Sequence, residues 1–393
     1  MLVSRNCHIC SLYSASSCRF ESQARGQMRI IYGVSGEGSG HSSRAKEMAS
    51  HLLVAGHELL FVSYNRGYAA LHSQFPCQRI DGLRILSVDN KVSILRTLIY
   101  NVRMLPAYYR SMQTLRRVFD EFQPDVVICD FEPMCARVAK ERDLPLISLD
   151  NQHRMRFMEY DSPRNLQLDR WVTEQVIRTV VPRPDVALAT TFLRGPLKNS
   201  YTFLFPPILR SEVGALHPST LDYHLVYVTS EYDSLIDTLR QLPEQRFIIY
   251  GYSRNKTDGN LQFKEFSTLG FLEDLAACQS VIATAGFTLM SEAMYLQKPY
   301  LAFPMRGQFE QLLNALCLEQ LDFGCNGKWA DLATVQGFFQ KLPQFSKALS
   351  HYPDGYSNNP DAPRNLQICA KLDDLLANDA ALLRHHQQAR QSD

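Results

Sequence analysis

The sequence predicts an α/β protein built from two doubly wound, Rossmann-like domains that face each other across a cleft. Apolar segments rich in β-branched residues alternate with segments of helical periodicity along most of the 393 residues. Strands that are apolar throughout are typical of parallel sheets covered by helices on both faces. A Pro-rich stretch at Pro206 and Pro207 divides this alternation into two series.

Chain length agrees with this division, because 393 residues are enough for two domains with separate cores. We predict a first domain at residues 28–207 and a second at 208–393, which ends in a helix from about Leu366 to Arg384. Residues 1–27 are predicted to be a disordered extension, either a transit-like segment or a mis-assigned start, since Met28 begins the first strand directly.

Charge, hydropathy and cysteine spacing exclude several classes of protein. The net charge is +1 and no nucleic-acid-binding motif is present, so no nucleic-acid partner is expected. Residues 28–207 nevertheless carry a surplus of about five positive charges. The sequence contains no apolar run of about 18 residues, so no transmembrane helix is predicted. The ten cysteines are scattered without paired zinc spacing, which favours reduced thiols and a cytoplasmic protein.

The first strand, "MRIIYGV", leads into a glycine loop. Gly36, Gly38 and Gly40 alternate in the loop, and His41 follows where a helix begins. A P-loop would need a lysine after Gly40, and a dinucleotide fingerprint would need G-x-G-x-x-G and an acidic end to the next strand, "HELLFVSY". Neither is present. Glycines before a helix N-terminus let backbone amides approach a small polar or anionic ligand.

Polar side chains end the later strands of the first domain. "PDVVICD" ends at Asp130 and is followed by Glu132, "PLISLD" ends at Asp150 and is followed by His153, and "PDVALATTF" is a further strand. Ligands of parallel sheets bind beyond the carboxyl ends of the strands. We therefore expect these four residues to meet His41 at one edge of the sheet.

The second domain contains the most informative stretch, "SVIATAGFTLMSEAMYLQKPYLAFPMRGQFEQLLNA". A buried strand ends before Gly286, and the amides of Gly286, Phe287 and Thr288 would hold a diphosphate at the start of the next helix. Glu292, one turn further, can accept two hydrogen bonds from a ribose diol. The pair Glu310 and Gln311 follows the next strand, where it can bind sugar hydroxyls.

Together these motifs resemble GT-B nucleotide-sugar glycosyltransferases, and the sequence is similar to glycosyltransferase family 28. That family includes the bacterial lipid-linked N-acetylglucosaminyltransferase of cell-wall synthesis, and the resemblance is closest to an archaeal and bacterial subgroup. It extends over nearly the whole chain from Met28. The matching positions are Gly38-Ser39-Gly40-His41, Gly286, Glu292-Ala293, Lys298-Pro299, Glu310-Gln311 and Asn314-Ala315.

Two positions depart from the family pattern. Thr284-Ala285-Gly286 stands where related enzymes often have His-Gly-Gly or Ser-Gly, so backbone amides alone must bind the diphosphate. Glu310 stands where aspartate is common, which leaves the identity of the sugar open.

The resemblance implies transfer of a sugar from a nucleotide-diphosphate donor, most simply UDP, to an acceptor hydroxyl with inversion at the anomeric carbon. The acceptor is unidentified and could be lipid-linked. We expect no metal, because the D-x-E spacing of Asp130 and Glu132 lies in the first domain, away from the nucleotide. We also expect no cofactor, since the nucleotide sugar is a substrate.

Each candidate residue has a structural alternative. His41 is a candidate general base, since histidine ordinarily titrates near neutral pH, or it caps its helix or orients the acceptor. Asp130 and Glu132 are candidates for the same task or for holding His41, or they cap the following helix. His153 would contact the acceptor or bond to backbone.

Three residues complete the predicted site. Gly38 and Gly40 would let the acceptor approach the backbone of the glycine loop. Arg254, in the loop "GYSRNK" at the carboxyl end of its strand, would add positive charge near the diphosphate.

The segment from Lys91 to Arg117 mixes leucines, isoleucines and tyrosines with arginines and contains no acidic residue. Such a segment could rest on an anionic membrane, or its apolar face could be ordinary core. Two other functions stay open: a UDP-sugar 2-epimerase of the same architecture, and a non-catalytic protein that binds sugar nucleotides or glycans.

Overall fold

The computed structural model describes residues 26–88, 90–228, 232–352 and 365–377. The predicted extension lies almost entirely outside these residues. The structure confirms the predicted fold class, since two seven-stranded sheets are each covered by helices on both faces.

The first sheet is parallel throughout and has the order β3-β2-β1-β6-β7-β8-β9, while β4 and β5 form a separate antiparallel hairpin. The strand order reverses between β1 and β6, and such a reversal opens a crevice at the carboxyl edge of a sheet. The strands are β1 (Arg29–Val34), β2 (Glu58–Ser63), β3 (Cys77–Arg79), β4 (Ser87–Val88), β5 (Lys91–Val92), β6 (Val126–Asp130), β7 (Leu146–Asp150), β8 (Val186–Thr190) and β9 (Thr202–Phe205).

Helix α1 covers one face of this sheet because Ala45, Met48, Ala49 and Leu52 recur at helical spacing and are fully buried. Helix α5 covers the opposite face. The helices are α1 (Gly40–Val54), α2 (Asn65–Leu71), α3 (Ile94–Arg103), α4 (Leu105–Phe122), α5 (Pro133–Glu141), α6 (His153–Phe157), α7 (Gln167–Val180) and α8 (Ser211–Gly214), with a 3₁₀ turn at Arg164–Leu166.

The second sheet has the order β12-β13-β11-β10-β14-β15-β16 and is parallel except for the pair β12 and β13. Its strands are β10 (His224–Tyr227), β11 (Phe247–Tyr250), β12 (Lys256–Asp258), β13 (Leu261–Phe263), β14 (Ser280–Ala283), β15 (Tyr300–Ala302) and β16 (Gly324–Asn326). Its helices are α9 (Asp233–Arg240), α10 (Thr268–Ala277), α11 (Phe287–Tyr295), α12 (Phe309–Gln320), α13 (Leu332–Gln340) and α14 (Leu342–Leu349). A last described helix, α15 (Leu366–Ala377), follows them in the chain.

The last described helix, α15, corrects one detail of the predicted domains. We predicted it as part of the second domain, but Ile368, Leu372 and Leu375 are buried in the core of the first sheet, beside α1. The prediction was wrong because the periodicity of a helix reveals an apolar face and not the surface that the face covers. Residues 378–384 of the predicted helix lie outside the described residues.

Apolar and backbone contacts join the two sheets. The rings of Phe192 and Phe287 have centroids 4.3 Å apart, and Met155 packs in the same core as the second-sheet helices. At another point Val92 N donates to Arg306 O over 2.9 Å. The carboxyl edges of both sheets therefore border one cleft.

Within the described ranges, no helix is both long enough and apolar enough to cross a bilayer.

Candidate active site

His41 and Asp130 form a hydrogen-bonded pair at the carboxyl edge of the first sheet. His41 lies in the first turn of α1, which begins at Gly40, and Asp130 ends β6. His41 Nδ1 lies 2.7 Å from Asp130 Oδ1. The Asp130 side chain is fully buried, whereas 13% of the His41 side chain is exposed. Sequence reasoning therefore placed these two residues together correctly.

Arg44 is the third member of this cluster. Its Nε donates to Asp130 Oδ2 over 2.8 Å and its Nη2 to Asp130 Oδ1 over 2.7 Å. Burial lowers the pKa of Arg44, but Asp130 outweighs this effect, so that the pKa is raised and the guanidinium stays charged. Asp130 therefore has a permanent counterion.

The pair defines which nitrogen of His41 is free for chemistry. A carboxylate accepts hydrogen bonds, so we assign the proton between the two groups to Nδ1. Arg44 Nη2 lies 3.2 Å from Nδ1 and then donates to Asp130 Oδ1 rather than to the ring. Nε2 is then the basic nitrogen, and it has no partner among the described residues. The ring of Phe131 lies parallel to the His41 ring, with centroids 6.5 Å apart. This is the orientation that a general base requires.

Glu132 occupies a structural position instead. Its carboxylate caps α5, accepting from Met134 N over 3.0 Å and Cys135 N over 2.7 Å. Burial raises its pKa, although these amides act in the opposite sense. The structure thus matches the helix-capping alternative for Glu132, and its carboxylate is fully enclosed.

His153 is also enclosed. Its Nδ1 lies 2.7 Å from Asp150 Oδ2, and Ser148 Oγ lies within 2.8 Å of both groups. Burial by itself raises the pKa of Asp150, but His153 and the hydrogen bonds hold the pKa at about 2. Because His153 is fully buried, the structure does not expose it to an acceptor.

The N-terminus of α11 faces the N-terminus of α1. No side chain caps α11, so the amides that follow Gly286 have no side-chain partner in the described part of the chain. A Cβ atom at Gly40 would lie only 2.5 Å from Thr288 Oγ1, so this approach requires glycine at position 40. Gly38 has a positive φ of 82°, which also favours glycine. The predicted diphosphate residues therefore lie opposite the glycine loop and His41.

Glu292 is fully buried and paired with Arg210, which belongs to the segment between the two sheets. Arg210 Nε and Nη2 donate to the two carboxylate oxygens, each over 2.7 Å. Burial raises the pKa of Glu292, while Arg210 acts to lower it. The carboxylate predicted to bind ribose thus already has a bidentate protein partner.

Glu310 joins the two domains. Asn151 Nδ2 donates to its Oε1 over 2.7 Å, and Gln152 Nε2 donates to its Oε2 over 3.0 Å. Gln311 Oε1 accepts from Met305 N over 2.9 Å, and its Nε2 donates to Gln308 over 2.7 Å. Both residues predicted to bind sugar lie at the cleft, and both have protein partners.

The structure brings a different arginine to α11 from the one predicted. Arg254 is exposed, with its guanidinium 4.1 Å from the Phe263 ring centroid, and none of its described contacts reaches α11. Arg154, by contrast, is fully buried and lies 5.2 Å from the Phe287 ring centroid. Its Nη2 donates to Asn314, which in turn donates to Ala285 O over 2.8 Å.

Several of these residues were missed by sequence reasoning. Arg44 lies three residues after His41, on the same helical face, and that spacing could have indicated it. Asn151 and Gln152 follow a strand end directly, which is also a usable signal. Nothing local marks Arg154 or Arg210, because their partners are distant in the chain.

A cavity of about 170 Å³ is lined in part by Pro304 and Arg306, which follow β15. Its lining includes Asn90 from the first domain with Arg306, Lys328 and Trp329 from the second, and the Arg306 guanidinium lies 4.3 Å from the Trp329 ring centroid. In the described residues no three His, Cys, Asp or Glu side chains are grouped as metal ligands would be.

Comparison with known proteins finds similar glycosyltransferases. An uncharacterized glycosyltransferase of Methanosarcina acetivorans is 25% identical over 322 residues, which cover 76% of this chain and 85% of that protein. Spinosyn rhamnosyltransferase SpnG complexed with thymidine diphosphate superposes with a TM-score of 0.61 and 14% identity, over 88% of this chain and 100% of the other. Arabidopsis thaliana UGT89C1 complexed with quercetin superposes with a TM-score of 0.63 and 13% identity, over 90% of this chain and 100% of the other.

These structural matches establish the GT-B fold. A family model described as glycosyl transferase family 1 matches residues 28–343, from the first strand to α14. The finer resemblance to family 28 stays a prediction. The match includes both sheets and the cleft between them, and the chain therefore belongs to glycosyl transferase family 1.

Proposed function

We propose that this glycosyltransferase moves a sugar from a nucleoside diphosphate donor, with uridine or thymidine as the nucleoside, to an acceptor hydroxyl, with inversion and without a metal ion. The observation that carries the proposal is the His41 and Asp130 pair, which leaves Nε2 free beside the uncapped N-terminus of α11. A general base and a site for a departing anion then lie on opposite sides of one cleft.

The chemistry follows from these positions. Nε2 of His41 removes the proton of the acceptor hydroxyl, and the acceptor oxygen attacks the anomeric carbon on the face opposite the diphosphate. The bond from this carbon to the diphosphate oxygen breaks, and the nucleoside diphosphate leaves with the electron pair. Asp130 stabilises the resulting imidazolium. A single displacement of this kind inverts the anomeric carbon.

The α11 amides offset the charge that develops on the leaving diphosphate. We propose that this helix terminus takes the place of a cation. A solved protein of the same fold is described as complexed with thymidine diphosphate, which supports a nucleoside diphosphate as the ligand. No cofactor is part of this mechanism, and we place the reaction in the cytoplasm because the described cysteines are unpaired.

Binding of the donor requires an exchange of partners. Glu292 would turn from Arg210 to the ribose hydroxyls, and Glu310 with Gln311 would turn to the sugar. Each carboxylate stays hydrogen-bonded before and after the exchange, so neither is left buried without a partner.

Thermal shift and calorimetry with uridine and thymidine diphosphates and their sugars test the proposal. At about 100 times the dissociation constant, a ligand raises the free energy of unfolding by roughly 2.7 kcal/mol. Glu292→Ala should abolish the shift, whereas the exposed Glu273→Gln on α10 should retain it. If none of these nucleotides shifted the melting temperature of the parent chain, the proposed nucleoside diphosphate donor would be refuted. Formation of an epimer from UDP-N-acetylglucosamine without acceptor would instead identify a 2-epimerase.

A further inference from the structure

Helix α3 and the start of α4 present an apolar side to solvent. Six side chains on one side are exposed by 43–68% each. We call them the α3 surface: Leu95, Leu98, Ile99, Val102, Leu105 and Tyr109. Residues at such spacing share one face of a helix. A contiguous exposed apolar face is typical of a surface that contacts a partner or a membrane.

The opposite side of α3 and of the start of α4 is polar and faces the protein. Asn101 donates to Arg84 O over 2.9 Å and accepts from Arg84 N, and Thr97 Oγ1 accepts from Leu86 N over 3.0 Å. Tyr108 OH donates to Asn101 over 2.6 Å, and Ser111 Oγ binds Asp81. This arrangement inverts the usual amphipathic helix, so the α3 surface is not ordinary core. Further along α4 the ordinary-core alternative holds, because Leu115 and Phe119 are buried against the first sheet.

The charged side chains that α3 and the first turns of α4 themselves carry are all of one sign. Exposed Lys91, Arg96, Arg103 and Arg110 lie on or beside it, and no acidic residue occurs between Lys91 and Phe119. Arg96, Arg103 and Arg110 have no carboxylate partner among the described residues. An exposed apolar face framed by unpaired cations is complementary to a bilayer with anionic headgroups.

A second exposed apolar face, on α7, lacks this complementarity. Leu168, Trp171 and Val172 are exposed by 45–71%, but Asp169 and Glu174 lie among them. The two faces are therefore matched in apolar character and differ in charge.

The α3 surface borders the cleft. Ile85, on the segment that binds α3, donates from its backbone to Glu37 of the glycine loop over 3.3 Å. Just before α3, Val92 N binds Arg306 O of the second domain. A membrane that covered the α3 surface would lie at the entrance to the site of His41.

We infer that the α3 surface docks onto anionic phospholipid bilayers and that the acceptor is an amphiphile presented from the bilayer. The identity of the acceptor rests on the proposed function, whereas docking does not. Apolar side chains enter the interface, and the arginines pair with lipid phosphates.

Vesicle flotation of the full chain tests this inference, with phosphatidylcholine vesicles that contain or lack phosphatidylglycerol. We expect the chain to float with anionic vesicles at low salt and to bind neutral ones at least about tenfold less. The double variant Leu98→Asn and Val102→Asn, and the triple variant Arg96→Gln, Arg103→Gln and Arg110→Gln, should each lose most of this binding. The matched α7 variant, Leu168→Asn and Val172→Asn, should float like the parent.

Several results would overturn docking: a parent chain that does not float, α3 variants that float unchanged, or equal loss in the α7 variant. A vesicle-free dimer that Leu98→Asn and Val102→Asn dissociate would assign the surface to a second copy instead. Because the nucleotide-induced thermal shift is measured separately on the same variants, failure of docking and failure of the proposed function are distinguishable. Retention of that shift also shows that the variants are folded.

Discussion

His41 and Asp130 are 89 residues apart in the chain and 2.7 Å apart in the fold. Their types and positions were predictable, because one follows a glycine loop and the other ends a buried strand. The contribution of Arg44 was not predictable: it is a fixed counterion that holds the Asp130 carboxylate in place through two hydrogen bonds. In the proposed mechanism Asp130 holds the tautomer of His41.

We predict that His41→Gln lowers kcat by roughly 10² to 10⁴ and leaves the nucleotide-induced thermal shift unchanged, because the base is lost and the donor contacts are retained. Asp130→Asn should also lower kcat, since an amide can donate to Nδ1 and leave the proton on Nε2. Initial rates and thermal shifts on the same samples provide the measurement. The exposed His72→Gln is the control. Full activity in His41→Gln would assign the base elsewhere.

The Asp150 carboxylate supports a prediction about acid stability. Its pKa is about 2 in the folded chain, below its ordinary value, so its contribution to stability is present above about pH 4 and is lost as the pH falls toward 2. The contribution is on the order of 2 kcal/mol. Urea unfolding from about pH 5 to pH 2.5 should show a shallower pH dependence in Asp150→Asn, whereas the exposed Asp169→Asn should follow the parent. If the free energy of unfolding depended on pH equally in the parent chain and in both variants, the prediction would be contradicted.

At the scale of elements, the segment that follows β9 binds three different parts of the molecule with three successive residues. Leu209 N donates to the side-chain Oδ1 of Asn365, just before α15, and Asn365 Nδ2 donates to Leu209 O. Arg210 pairs with Glu292 of α11, and Ser211 donates to Glu47 of α1. A ligand that takes Glu292 from Arg210 therefore acts on the junction between the domains.

We predict that Arg210→Gln strengthens binding of uridine diphosphate about tenfold, because the ribose no longer displaces a bidentate partner; tenfold is about 1.4 kcal/mol. The same change should lower the free energy of unfolding of the unliganded chain by about 3 kcal/mol, since Glu292 is left buried without its partner. Calorimetry and urea unfolding measure the two effects. Arg240→Gln, in an exposed ion pair of the second domain, should change neither. Weaker binding in Arg210→Gln would mean that Arg210 itself contacts the nucleotide.

At the scale of the whole molecule, the cleft is closed by the residues that would bind the donor. Glu310 binds Asn151 and Gln152 across the cleft, and Thr288 lies against Gly40. The proposed function thus links donor binding to relative domain position, because the same side chains cannot bind both sets of partners at once.

The return of α15 to the first sheet gives a prediction at this scale. Leu372 is fully buried against that sheet, and Leu366 at the start of the helix is 49% exposed. Leu372→Ala should lower the free energy of unfolding by about 3 kcal/mol, and Leu366→Ala by less than about 0.5 kcal/mol. Urea unfolding of both variants checks this. Equal, small effects would mean that α15 does not pack on the first sheet in solution.

The sequence by itself determined the two α/β series, the helix that starts at the glycine loop and the polar residues at the strand ends. Local residue spacing predicts these features, because it depends only on neighbours along the chain. Short strands such as β12 and β16, of three residues each, were missed because so few residues show no period.

Only the tertiary structure decided the partners. Arg210 and Glu292 are 82 residues apart, and Asn151 and Glu310 are 159 apart. It also decided that Glu132 and His153 are enclosed, that α15 packs on the first sheet, and that the apolar side of α3 faces solvent. A charge or an apolar face can be recognised along the chain, but what it meets depends on packing between distant segments, which leaves no local pattern.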